Sequence, residues 1–66
     1  MSETLEELRE EVRREAAHID TRPYSHNIVG LLLSQIAEEH GVAEANKAIR
    51  DFRLKAKGWS EVKEAG

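Results

Sequence analysis

Apolar positions recur along this chain at helical steps. Leu5, Leu8, Val12, Ala16 and Ile19 stand three or four residues apart, which places them on one face of a helix, with charged residues filling most of the rest. Thr4-Leu5-Glu6-Glu7 has the form of a capping box, a threonine N-cap with a glutamate three residues on that can reach back. Glu10 and Arg14 stand in the favourable i, i+4 order, acid first. The spacing predicts a first helix over about residues 4–18, its narrow stripe also suiting a short two-helix seam.

The pattern then breaks. Pro23 lacks an amide proton and disfavours helical geometry at Arg22, so Asp20-Thr21-Arg22 reads as an extended linker and Ser25 as the N-cap of a second helix over about 26–40. In that helix Ile28, Leu31, Leu32, Ile36 and Ala37 mark a face that Val29 and Leu33 widen past half the circumference. A helix apolar over so wide an arc needs cover on more than one side, part of it expected from another subunit. Gly30 leaves room for a close approach inside it.

Gly41 reads as a left-handed residue ending the second helix, with Val42 as the hydrophobic contact after it. A third helix is predicted over about 43–57, with Ala45, Ala48, Ile49 and Phe52 on its face and Leu54 or Ala56 near its end. Glu44 in its first turn and Lys55 and Lys57 in its last suit the helix dipole. Gly58 closes it, Trp59 follows, and Ser60 to Gly66 reads as one further turn or a frayed tail. The expected architecture is one small all-α domain of three helices, completed by homo-oligomerisation.

Composition bears on that last point. A chain of 66 residues buries only about 60% of its unfolded surface and is marginal without a staple. There is no cysteine, so disulfides and thiolate metal sites are excluded and self-association remains. The acidic start lacks an apolar signal region, and the longest apolar or glycine run, Ile28 to Leu33, is too short to span a bilayer. A cytoplasmic protein without membrane partners is expected. The net charge of −3 gives no strong pull toward nucleic acid. Residues 1–20 carry seven acids and three bases, whereas 42–58 carry five bases and two acids. The two ends are thus complementary, within a subunit or between subunits.

The residues admit four kinds of chemistry. Gln35 to Val42 looks like the first helix and turn of a helix-turn-helix, with Lys47, Arg50 and Arg53 following where a recognition helix would lie. Against it, Lys47 and Arg50 occupy positions where that motif wants apolar residues, and the acidic balance opposes phosphate binding, so nucleic acid is the less favoured partner. His18, His26 and His40 lack metal-ligand spacing, and Asp20, Ser25 and His26 are too close along a turn to converge as a nucleophile set. No metal, cofactor or catalysis is expected.

The third is an anion or nucleotide site in Arg22-Pro23-Tyr24-Ser25-His26-Asn27. Free amides around Ser25 to Ile28 would favour phosphate, and Arg22 supplies a planar fork for it. Tyr24 offers a stacking face, while His26 and Asn27 can read a base or ribose edge. Lys57 or Trp59 of a neighbouring subunit could complete the pocket. The plainer account has Pro23 setting the turn, Tyr24 packing on the core, Ser25 capping, and His26 and Asn27 exposed. The fourth is an interaction surface for a host protein, built from helix faces alone.

Pro23-Tyr24-Ser25-His26-Asn27-Ile28, then Gly41, then Glu44-Ala45-Asn46, then Gly58-Trp59 resembles small helical proteins of bacteriophages and their hosts. What the resemblance implies is context. Phage proteins of this size are often anti-defence factors, among them inhibitors of host proteins and oligomers that sequester nucleotide signals. The leading expectation is accordingly a non-enzymatic binding protein holding a small phosphorylated, nucleotide-type ligand, with inhibition of a host protein as the alternative.

Overall fold

A computed structural model of the protein describes residues 4–62. It is all-helical: α1 is Leu5–Ala16, α2 is Pro23–His40, α3 is Val42–Asp51, and a short 3-10 helix spans Leu54–Lys57. The three predicted helices are therefore present, and among the described residues there is no strand. α2 is the centre, with α1 and α3 both packed on it.

α1 starts at the expected capping box. The Glu7 amide donates to Thr4 Oγ1 over 3.1 Å, and the Thr4 amide donates to Glu7 Oε1 over 3.2 Å. Leu8 and Val12, one turn apart, are fully buried, and Leu5, Ala16 and Ile19 border them. Glu10 pairs with Arg13, three residues on, rather than with Arg14; the Arg13 Nε–Glu10 Oε2 distance is 3.0 Å.

The entry to α2 corrects the sequence reading. Asp20-Thr21-Arg22 is not an extended linker: residues 17–21 form hydrogen-bonded turns in which the Thr21 and Arg22 amides both donate to the His18 carbonyl, and only Arg22 is extended (φ −128°). The helix begins at Pro23, three residues before its predicted start, with Arg22 at the N-cap. Proline suits a first helical position because its φ is preset and its missing donor would have had no partner there. Ser25 is therefore not the cap; it lies inside the helix, in register with Val29, Leu32 and Ile36 on the buried face.

That face also corrects the expected one. Val29, Leu32, Leu33 and Ile36 are buried, Ile28 is half-buried, and Leu31 is 71% exposed. At about 100° per residue Leu31 stands nearly opposite Val29, so neither α1 nor α3 can reach it.

A single residue joins α2 to α3. Gly41 donates its amide to the Ala37 carbonyl over 3.1 Å and accepts from Glu44 and Ala45, ending one helix and opening the next. Its φ of 102° and ψ of 154° lie in a region essentially confined to glycine, not in the left-handed helical well that had been expected. Val42 is consequently the first residue of α3 rather than a contact beyond the end of α2.

α3 stops at Asp51, short of the predicted Lys57, because the chain turns left-handed at Arg53 (φ 55°, ψ 40°). Packing accounts for the break. In a continued helix Leu54 would point about 140° away from Ile49, off the core face. The break instead buries Leu54 completely, beside Ala45, Ala48 and Ile49. Burying a leucine is worth about 1.5–3 kcal/mol, against roughly 1–2 kcal/mol for one left-handed residue, so the break is favoured. Ser60–Val62 follow without helix, and the expected turn or frayed tail beyond them lies outside the described residues.

Candidate functional site

The start of α2 and the segment after Gly58 meet. The rings of His26 and Trp59 stack with centroids 4.2 Å apart and an interplanar angle of 23°. Gly30, one turn beyond His26, lies beneath: a methyl group there would come 4.0 Å from the Trp59 Nε1 atom. The indole is the nearest neighbour of Gly30, at an ordinary contact distance rather than the close approach that the sequence led one to expect. Gly58, with φ 110°, turns the chain so that Trp59 can reach this position, and the Trp59 amide is held by the Leu54 carbonyl at 3.1 Å.

His26, Asn27, Gly30, Leu31, Ser34 and Trp59 line a shallow open groove of about 440 Å³, which falls in the size range of small-ligand sites. On the other side of the indole a second, more apolar groove of about 390 Å³ runs between α2 and α3 from Gly30 and Ser34 to Asn46 and Val62. Trp59 forms part of the wall of both.

The expected site residues divide accordingly. His26, Asn27 and Trp59 come together on one groove. Tyr24 is 56% exposed one turn before Asn27, on the solvent side rather than packed on the core. Arg22 is exposed at the N-cap. Lys57 is engaged elsewhere, its Nζ 2.8 Å from Asp20 Oδ2, which ties the turn before α2 to the end of the 3-10 helix. Trp59 thus meets the start of α2, and Lys57 the turn before it, within their own chain. The Asp20–Lys57 pair follows the expected complementarity of an acidic first part and a basic last part. Arg9 and Asp51, 2.7 Å apart, cross it in the opposite sense, with the Arg9 guanidinium 5.0 Å from the Phe52 ring centre.

Ser25 leaves the ligand set. It is fully buried and its hydroxyl donates to Glu15 Oε1 over 2.9 Å, so it faces α1 and not the groove. The free amides expected around Ser25 to Ile28 are likewise not there. Pro23 has no N–H, the Ser25 amide donates to the Arg22 carbonyl over 3.0 Å, and residues 26–28 lie within the helix.

Asn46 and Glu61 were missed as site residues. Asn46 is 97% buried, and its amide group makes two hydrogen bonds to the main chain of one residue: Nδ2 donates to the Val62 carbonyl (2.7 Å) and Oδ1 accepts from the Val62 amide (2.8 Å). Glu61 accepts from Arg50 and Lys55, each at 2.6 Å. The hydrogen bond from Lys55, then that from Arg50, holds the Glu61 carboxyl below its ordinary range. The hydrogen bond from Arg13 does the same for Glu10. An asparagine next to Ala45 on an apolar helix face was the one available signal, since a buried amide requires partners.

Among the described residues no group of three or more histidine or acidic side chains could hold a metal ion, and no helix is long and apolar enough to cross a membrane. A helix-turn-helix joins its helices through three or four residues, whereas only Gly41 separates α2 from α3. Compared with protein-family models, curated proteins and solved structures, the chain matches none.

Proposed function

We propose that the chain is a non-enzymatic binding protein that holds a small nucleotide-type ligand in the groove beside His26 and Trp59. The observation that carries this reading is the stacked ring pair over Gly30, bordering an open groove. A planar base gains about 1–3 kcal/mol by stacking on an aromatic side chain. Asn27 on the rim has both donor and acceptor groups for the edge of a base, and Arg22 stands exposed one turn before His26 with a fork suited to phosphate. A nucleophilic role for Ser25 is opposed by its burial. In the context implied by the phage resemblance, such binding would sequester a nucleotide immune signal.

Trp59 is the only tryptophan, so all tryptophan fluorescence comes from the wall shared by the two grooves. Titration with mono-, di- and cyclic nucleotides is expected to quench it saturably, with Asn27→Ala and Arg22→Ala each weakening binding severalfold. Unchanged emission with every nucleotide class would refute the reading.

One observation favours a second reading, inhibition of a host protein. Leu31 and Tyr24 are exposed on the same outer side of α2, where an apolar contact with a partner could form. Loss of host-protein binding on Tyr24→Ala, at a residue outside the groove lining, with nucleotide affinity unchanged would separate the two.

A further inference from the structure

The segment from Trp59 to Val62 lies against the rest of the molecule as a bound peptide would. It runs without regular structure along the groove between α2 and α3 and is held at three points. Trp59 stacks on His26 beside Gly30. Glu61 sits between Arg50 and Lys55 at 2.6 Å from each. Val62 is read only through its main chain, both polar groups of which are taken by Asn46, while its side chain is 61% exposed. Pairing of one buried amide with the N–H and C=O of one residue is how peptide-binding sites hold an extended backbone without regard to its side chain. Gly58, at φ 110°, sets the direction in which the segment runs from the 3-10 helix.

We propose that this groove is a peptide-recognition site and that its ligand in trans is the same Trp59–Val62 segment of a second copy of the chain. The occupant is set by what already fits: the aromatic ring, the carboxylate between two cations and the main-chain clasp are all supplied by this sequence. Exchange breaks and remakes the same contacts, together with the Trp59 amide–Leu54 carbonyl bond, so the two states differ little in the contacts they hold. Leu31, exposed and lining the neighbouring groove beside His26 and Trp59, would gain cover from the second copy.

Two full-length variants test this. Asn46→Ala/Arg50→Glu keeps the segment and spoils the groove; Trp59→Ala/Glu61→Lys keeps the groove and spoils the segment. Only the first contains tryptophan, so its emission reports where its own Trp59 lies. Alone, it is expected to emit at longer wavelength than the parent chain. Addition of the second variant should return the emission to shorter wavelength saturably, and native mass spectrometry should show a mixed dimer at least tenfold above either variant's self-dimer. If circular dichroism shows that the Asn46 variant does not fold, Arg50→Glu alone replaces it in the same titration. Unchanged emission up to about 1 mM of the second variant, with no mixed dimer, would overturn the proposal. A mixture of the second variant with Trp59→Ala, which also lacks the indole, must show less dimer than the first mixture; equal dimer would place the contact elsewhere and overturn it too.

Discussion

The hydroxyl of Ser25 donates to Oε1 of Glu15 over 2.9 Å, and this bond joins α1 to the first turns of α2 from inside the molecule. Hydrogen bonds to charged groups are worth about 1.5–3 kcal/mol. Glu15 is only half-buried, so water can take the place of a lost hydroxyl. Ser25→Ala is therefore expected to destabilise by about 1–2 kcal/mol, read as a lower urea midpoint with an unchanged slope. Nucleotide affinity should not change, because the hydroxyl faces away from the groove.

Two glycines are expected to respond in opposite ways to alanine. At Gly30 the added methyl meets only the Trp59 Nε1 at 4.0 Å, an ordinary contact, within a regular helix. Gly30→Ala should stabilise by about 0.5–1 kcal/mol while narrowing the groove and weakening any ligand held there. At Gly41 the added methyl meets nothing within 4 Å, but the backbone lies where alanine is strained. Gly41→Ala should cost about 1–3 kcal/mol. Thermal unfolding of both variants checks the pair of signs.

Glu61 makes the attachment of residues 59–62 sensitive to acid. Its carboxyl is held below the ordinary value of 4.5 by Lys55 and Arg50, so the stabilisation is fully present above that value and is lost as pH falls through the lower, folded-state value. Trp59 emission is expected to shift to longer wavelength in that window, below pH 4.5. Glu61→Gln should show a weaker attachment at neutral pH and a flatter profile in acid.

Leu31 contributes little to the fold, being 71% exposed. Leu31→Asn is expected to change stability by no more than about 0.5 kcal/mol. Any loss of dimer or partner binding in that variant, followed by analytical ultracentrifugation, can then be assigned to the surface rather than to unfolding.

The helices were legible in the sequence because their signals are local: a capping box at Thr4, apolar residues three and four apart, and glycine at 41. The boundaries that moved did so for reasons one sequence window does not hold. Arg53 turns left-handed only because Leu54 has a core to enter, and that core is made by residues of α2 and α3 far earlier in the chain. Ser25 has the chemistry of a cap, and the competing rule, proline at the first helical position, took the start of α2 instead. At the candidate site, His26 and Asn27 could be singled out as polar residues without a structural task. Their meeting with Trp59, and the clasp of Val62 by Asn46, depend on the reversal of the chain at Gly58 and carry no short-range mark.

Because α1 and α3 each pack on α2, their neighbour in sequence, most of this core forms between segments close along the chain, and such topologies fold quickly. Two ion pairs do not share that locality: Arg9–Asp51 and Asp20–Lys57 close loops of 42 and 37 residues. Pairs so far apart in sequence are expected to form after the helices dock, on the descent from the transition state. Arg9→Ala and Asp20→Ala should accordingly leave the refolding rate nearly unchanged and speed unfolding, seen in a chevron plot as movement of one limb only. On that view the two bridges act as kinetic locks, lengthening the life of a fold whose assembly they do not direct.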